Sequence, residues 1–186
     1  MIQGEKVFLR GLEREDFKLM HAWLNDEEVM EWARSRPDNT ASMESIEKEF
    51  EADVKGENPN RRTFIVVEKS TGKPIGWASI RWWRPFSTTA DIGLAIAERS
   101  LRGRGYGTEA TALLVKLAFD QHNMHKVELW TRSDNKAAQR AATKCGFKQE
   151  GRFRETVYFN GKYHDGLLFG MLRQEYESKK RPLEGP

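Results

Sequence analysis

Ala90-Asp91-Ile92-Gly93-Leu94-Ala95-Ile96, followed after a short loop by Arg102-Gly103-Arg104-Gly105-Tyr106-Gly107-Thr108-Glu109-Ala110, is the stretch on which the reading of this chain turns. Asp91 to Ala97 reads as a strand. Three glycines within five residues then precede a helix that runs through Asp120, with Ala110, Leu113, Leu114, Leu117 and Ala118 directed inward. Such a turn leaves bare backbone N–H groups at the positive end of the helix dipole, which suits a phosphate or pyrophosphate. Arg102 and Arg104 add charge there. No Gly-Lys-Ser/Thr follows, so the turn is not a P-loop. The glycines run G-x-G-x-G, not the G-x-G-x-x-G of a dinucleotide fold. By itself the turn is equally compatible with a tight strand-to-helix connection.

Outward from this stretch, Val7-Phe8-Leu9 is a short strand, and Glu13 to Leu24 a helix with Phe17, Met20, Trp23 and Leu24 at helical spacing. Met43 to Lys55 is a second helix, with Ile46, Phe50 and Val54 on one stripe, ended by Asn58-Pro59-Asn60. Thr63 to Val67 is a strand by its β-branched content, and Ser70-Thr71-Gly72-Lys73 turns it back into Pro74 to Trp83. Arg84 to Thr88 breaks the sheet. Beyond the central helix, Val127 to Thr131 is a strand, and Asn135 to Lys144 a helix closed by Gly146. Phe147 to Phe159 and Lys162 to Leu172 form a hairpin through Asn160-Gly161. Residues 1–176 read as a single α+β domain on a mixed sheet, with Glu177 to Pro186 a frayed tail.

A length of 186 residues suits one such domain, and ten Phe, six Trp and four Tyr exclude disorder over the whole chain. No run of 18 apolar residues exists to span a membrane, and the first residues lack the apolar middle of a signal peptide. One cysteine, Cys145, excludes an intramolecular disulfide and a cysteine-built metal cluster, in keeping with a reducing cytoplasm. The four histidines show no HExxH-type spacing, so metal catalysis has no support. Charge is uneven. Between Glu13 and Glu57, 14 acids face six bases, a net −8 that leaves +11 for the remainder. The split reads either as two surfaces, one attracting cations and one attracting anions, or as a solvated helical surface with a basic tail.

Arg102-x-x-Gly105-x-Gly107 resembles the acetyl-CoA signature, Gln/Arg-x-x-Gly-x-Gly/Ala, of the GNAT superfamily of N-acetyltransferases. Asn135-Lys-Ala-Ala-Gln-Arg-Ala-Ala-Thr-Lys144-Cys-Gly146-Phe147 resembles that superfamily's Asn-x-x-Ala…Lys-x-Gly-Phe segment. Two further blocks look like the branch related to the ribosomal-protein N-terminal acetyltransferases: Leu9-Arg10-x-Leu12-x-x-x-Asp16, and Glu150-Gly151…Arg154-Glu155…Asn160-Gly161-Lys-Tyr-His-Asp165…Leu172-Arg-Gln-Glu-Tyr176. The resemblance runs from about Lys6 to Tyr176. It implies a mostly antiparallel central sheet flanked by about four helices, with acetyl-CoA as co-substrate and no metal. It also implies that Arg102, Gly103, Arg104, Gly105, Tyr106, Gly107 and Thr108 hold the pyrophosphate through backbone N–H groups. Leu94, Ala95 and Ile96 would pair with pantetheine and point an N–H at the thioester carbonyl. Asn135 would bond the pantetheine arm, besides being placed for a helix N-cap, and Arg140 and Lys144 would meet the adenosine phosphates.

Acetyl transfer to an amine needs a bound thioester, a deprotonated amine and stabilisation of an oxyanion. The base candidate is Asp91, eleven residues before Arg102, where histone-modifying relatives carry a glutamate; a strand-edge ion pair is the alternative role. Glu155 and Glu128 follow, the latter on the strand face where ribosomal alanine acetyltransferases hold their base and this chain has Trp130. The positions of the family's proton-donating Tyr or Ser are Ala142 and Ala138, and Cys145 reads as packing. Trp77, Trp82, Trp83 and Phe86 either wall the acceptor site or pack the sheet. The expected reaction is direct attack by a primary amine in a ternary complex. The amine is a peptide or protein N-terminus, or a small cationic amine such as a polyamine, aminosugar or aminoglycoside. A catalytically idle acyl-CoA-binding sensor is the alternative. No motif points to nucleic acid, and a homodimer is usual in the branch.

Overall fold

The computed structural model describes residues 1–33, 40–82 and 88–180, and in it the β-branched and aromatic segments join one eight-stranded sheet. Its strands are β1 (Ile2–Gln3), β2 (Val7–Gly11), β3 (Arg61–Glu68), β4 (Pro74–Trp82), β5 (Thr89–Ile96), β6 (Lys126–Arg132), β7 (Lys148–Phe159) and β8 (Lys162–Leu172). They lie in the order β1-β2-β3-β4-β5-β6-β8-β7. Among the described residues every pairing is antiparallel except β5–β6. The mixed, mostly antiparallel α+β expectation holds. The segment 83–87, which contains Trp83, Phe86 and most of the expected sheet break, lies outside the described residues.

Six α-helices occur among the described residues where the sequence suggested about four: α1 (Phe17–Leu24), α2 (Glu27–Ala33), α3 (Met43–Val54), α4 (Tyr106–Lys116), α5 (Lys136–Cys145) and α6 (Arg173–Lys180). The unanticipated α2 had a legible start. Asp26 Oδ1 accepts the Val29 N–H at 3.1 Å, and Glu27 and Glu28 fill the first turn, a favourable match to the helix dipole. The other addition, α6, carries the chain in helix to Lys180, past the point where the tail was expected to begin. The Tyr176 ring stacks on Phe119 at 4.7 Å, and Arg173 donates to the Phe119 and Met124 carbonyls. The long central helix is two pieces, α4 and a π-helical continuation, Leu117–Gln121.

Alternation along the strands divides the core into two layers. Ala90, Ile92, Leu94 and Ile96 of β5, with Val127 and Leu129 of β6, face Ala110, Leu113, Leu114 and Leu117. The opposite face of β3 and β4 packs Ile65, Val67 and Trp77 against Phe17, Met20, Ile46 and Phe50 of α1 and α3. On that second face lie Asp91, Gly93 and Ala95 of β5 and Glu128, Trp130 and Arg132 of β6.

Many of the acids between Glu13 and Glu57 are ion-paired: Asp16 with Arg10, Glu28 with Arg99, Glu51 with Arg14 and Lys55, Glu49 and Asp53 with Arg61. The Asp53 side chain is 1% exposed. It accepts from Arg61 Nε at 3.0 Å, Thr63 Oγ1 at 3.0 Å and Asn58 Nδ2 at 3.2 Å, fastening the end of α3 to β3. Removing one partner of such a pair strands the other, so Asp53→Ala is expected to cost about 3 kcal/mol, read as a lower urea midpoint with an unchanged slope.

Candidate active site

Strands β5 and β6 pair over only three positions, Thr89↔Lys126, Ala90↔Val127 and Asp91↔Glu128. Beyond Asp91 they part. β5 stays with β4 as far as Ile96, and β6 stays with β8 as far as Arg132. The cleft between them is bounded by backbone edges, 92–96 on one side and 129–132 on the other, that have no strand partner among the described residues. Leu94, Ala95 and Ile96 form one of its walls.

Two features hold that wall in place. A Cβ at Gly76 would sit 2.0 Å from the Ala95 carbonyl oxygen, so only glycine lets β4 approach β5 this closely. At the far end the Arg102 guanidinium turns back on the strand, donating through Nε to the Ile96 carbonyl at 3.0 Å and through Nη2 to that of Ala97 at 3.4 Å. Its side chain therefore clamps β5, a role the sequence did not disclose.

The glycine-rich turn leads into α4 and leaves the helix N-terminus open. Gly105, the α4 N-cap, has φ 92° and Gly103 φ 76°, a region that L side chains avoid. The chain's N-terminal segment braces this turn: Lys6 Nζ donates to the Arg104 carbonyl at 3.0 Å, and the Glu109 carboxylate accepts the Glu5 and Lys6 N–H groups. Tyr106 Oη donates to Glu68 at 2.6 Å, so its ring is anchored toward β3. Thr108 offers its carbonyl to Cys145 Sγ at 3.3 Å, where α4 meets α5. Asn135 Oδ1 accepts the Ala138 N–H at 3.1 Å, the capping role, which leaves its Nδ2 as a donor. Arg140 and Lys144 are exposed and, with Lys136, fall on one stripe of α5 at intervals of four residues. Free strand edges, an open helix N-terminus and a basic stripe are a donor set that fits the peptide-like arm and the phosphates of an acyl-CoA.

At the point of divergence, Asp91 and Glu128 are register partners. Burial pushes the Asp91 carboxyl above its ordinary pKa; the Arg81 guanidinium, whose Nε lies 3.0 Å away, opposes this, and Glu128 adds to it. Glu128 shares Lys126 with Glu150, at 2.7 and 2.6 Å. Glu150 reaches that lysine because it is the extra residue of a bulge between Gln149 and Gly151. Glu155 stands elsewhere. It lies in a second bulge, where Arg154, Glu155 and Thr156 oppose Asp165 alone, and its N–H donates to Asp165 at 2.8 Å. Three strand spacings, about 14 Å, separate β7 from β5. The structure brings Asp91 and Glu128 together and sets Glu155 apart.

Ala142 is fully buried, so no side-chain acid stands there. The Cys145 thiol is pushed up to about 11 by burial, and its hydrogen bond to Thr108 is that of a packed group. Trp82 is core, against His122, and Trp77 stacks on Trp23 at 5.9 Å beneath α1. Helix α2 bridges the mouth of the cleft. Glu28 pairs with Arg99 beyond the end of β5, while Arg132 at the end of β6 donates to the Glu31 carbonyl at 3.2 Å. Arg132 is 8% exposed, with its guanidinium 4.9 Å from the Trp32 ring and 4.2 Å from that of Phe159, and Nε bound to Asp134 at 2.6 Å. Arg81, Lys126 and Arg132 escaped the sequence reading because the contacts that bring them to the site, with Asp91, Glu150 and the Glu31 carbonyl, join separate elements.

A cleft between diverging strands, flanked by an open helix N-terminus, has the donor set that an acyl-CoA-dependent transferase requires. Residues 6–148 match the acetyltransferase (GNAT) domain, and the chain belongs to that family. It is 29% identical over 177 residues to the SPbeta prophage-derived uncharacterized N-acetyltransferase YokL of Bacillus subtilis (strain 168), covering 94% of each chain. It is 26% identical over 173 residues to the spermidine N(1)-acetyltransferase of Vibrio cholerae serotype O1, covering 93% of this chain and 96% of the relative. The solved structure of spermidine N-acetyltransferase from Vibrio cholerae in complex with CoA and spermine has the same fold, with a TM-score of 0.83 at 23% identity, covering 94% of this chain and 99% of the other. The protein is a GNAT-family N-acetyltransferase acting on an amine, with acetyl-CoA as co-substrate.

Two outcomes follow for the site. Gly76→Ala forces β5 away at Ala95 and is expected to raise the dissociation constant for coenzyme A, measured calorimetrically, by about tenfold or more. A displacement of this kind near reacting groups carries large penalties. Cys145→Ser is expected to keep turnover within about twofold of the parent, since a thiol that is protonated at neutral pH supplies no nucleophile.

Proposed function

We propose that the protein transfers the acetyl group of acetyl-CoA to the primary amine of a small cationic acceptor, with Asp91 as the base. The observation that carries this reading is the position of Asp91: a carboxylate raised by burial, on the face opposite α4, where β5 and β6 diverge. The 102–108 turn holds the pyrophosphate and the Arg140–Lys144 stripe the adenosine phosphates. The edge of β5 at Leu94–Ile96 pairs with the pantetheine arm, with Asn135 Nδ2 on its other side. Bound acetyl-CoA supplies an activated acyl group.

The remaining work is the chain's own. Asp91 takes the proton that the ammonium must lose before nitrogen can attack. A β5 N–H stabilises the charge that develops on the carbonyl oxygen. As the new N–C bond forms the C–S bond breaks, and the departing thiolate takes its proton from solvent because alanines stand at positions 138 and 142. The acidic groups beside Asp91 favour a cation over a neutral amine, and similarity to a spermidine acetyltransferase over nearly the full length supports that choice. A peptide N-terminus is the second reading, favoured by the resemblance of the Glu150–Tyr176 block to the ribosomal-protein branch.

Thiol release from acetyl-CoA with spermidine, aminosugars, aminoglycosides and N-terminal peptides tests the proposal. Turnover with cationic small amines and an Asp91→Asn variant slower by about 10²-fold or more is the expected result. Turnover with peptides alone would shift the acceptor to the second reading. The parent's kcat/KM should rise with pH along a limb above the range of an ordinary aspartate, as Asp91 ionises, and that limb should vanish in Asp91→Asn. The same shift separates chemistry from stability. A carboxyl raised in the folded state favours folding while protonated and loses that contribution as pH rises through its folded pKa. Asp91→Asn therefore costs little stability at neutral pH.

A further inference from the structure

The face of the sheet beside Asp91 carries an exposed apolar platform that the mechanism above does not use. Antiparallel register puts Trp130, Leu168 and Gly151 in one cross-strand row, and Arg132, Gly166 and Phe153 in the next, all pointing to the same side as Glu128. Trp130 is 43% exposed and Phe153 48%. The Trp130 indole leans over Gly166, where an added Cβ would meet the ring at 2.5 Å. The Phe153 ring leans the other way, over Gly151, with an added Cβ 3.8 Å from it. Two glycines on neighbouring strands thus make the floor on which two aromatic rings lie, with Leu168 between Trp130 and Gly151 in the first row.

Charge decides what such a platform takes. Glu128 stands one pleat before Trp130 on the same strand face, about 7 Å along it, and Glu150 lies over Gly170 in the same row as Glu128. Asp91 is the register partner of Glu128 across the divergence. The nearby arginines are engaged: Arg81 with Asp91, Arg132 with Asp134, Arg152 with Asp165. Those three carboxylates share two cations, Arg81 and Lys126, which leaves one net negative charge beside an exposed indole that attracts a cation through its ring face.

We infer that Trp130, seated on Gly166 and continued by Phe153, is the specificity platform of the acceptor site. It receives the second cationic centre and the connecting methylenes of a di- or polyamine whose first amine lies at Asp91. The inference rests on the cationic-acceptor reading and adds to it the residues that select a second charge. A Cβ at position 166 would push the indole off the sheet, whereas one at 151 would meet Leu168 and Phe153 at ordinary contact distance.

The test compares spermidine and 1,4-diaminobutane with n-butylamine as acceptors, in thiol-release kinetics on the full chain. The parent is expected to prefer the diamines. Trp130→Ala should raise KM for the diamines about tenfold with kcat within about threefold, leave KM for acetyl-CoA in place and erase the preference over n-butylamine. Trp130→Phe should restore part of it. Gly166→Ala, which keeps the indole but displaces it, should reproduce the KM rise, a result that loss of ring packing alone does not give. A diamine KM that is the same in Trp130→Ala and parent overturns the inference while leaving the acetyltransferase reading intact. So does a dimer, seen by light scattering, that Trp130→Ala dissociates without altering KM, since the patch would then cover a second copy. If no amine turns over, spermidine is titrated calorimetrically into the CoA-loaded protein. Binding lost in Trp130→Ala supports the platform, whereas no binding to the parent overturns both readings.

Discussion

The parting of β5 from β6 after Asp91–Glu128 is the constraint around which the rest of the molecule is arranged. Buried backbone N–H and C=O groups require partners, and two strands that separate in mid-sheet leave an edge each without one. That arrangement persists only where neighbours hold the strands apart and where a ligand can supply the missing hydrogen bonds. Gly76 seats β5 against β4, Arg102 ties off its last carbonyls, and α2 spans the mouth of the cleft from Arg99 to Arg132. The cleft is thus held open at its side, its end and its mouth.

Electrostatics follows from that opening. Asp91 is the last position of β5 paired with β6 and is half-buried there, so burial raises its carboxyl while Arg81 and Glu128 pull in opposite directions. Glu128 and Glu150 are brought onto one lysine by a bulge, while Asp91 keeps Arg81 as its own partner. At the other end of the cleft, positive φ at two glycines opens the N-terminus of α4, and the basic stripe of α5 extends the anion-attracting surface.

Several elements were legible because their causes are local. Asn135 caps α5 from its own side chain, Asn160-Gly161 turns the β7–β8 hairpin, and the glycine-rich turn announces a helix N-terminus. In each case the decisive contact joins residues within a few positions. Helix α2 was legible in its capping aspartate and paired glutamates, yet seven residues between two other helices make a short periodic signal. For the aromatics, acceptor wall and sheet packing were both open, and Trp77 and Trp82 take the packing role on opposite faces of β4, while Trp130 stays exposed over Gly166 on another strand.

The sequence by itself determined the family, the order of most strands and helices and the place of the glycine-rich turn before α4, because these depend on spacing within short windows. Tertiary structure alone decided that Arg102 clamps β5, that Arg81 and Glu128 flank Asp91, that Glu155 lies strands away from it, and that Gly166 beds Trp130. Those facts depend on register between strands that lie up to 89 positions apart in the chain, as Arg81 and Gly170 do on either side of the Asp91–Glu128 pair. A one-residue shift of register would move every one of these side chains to the opposite face, and no local pattern in the chain records which register the sheet adopts.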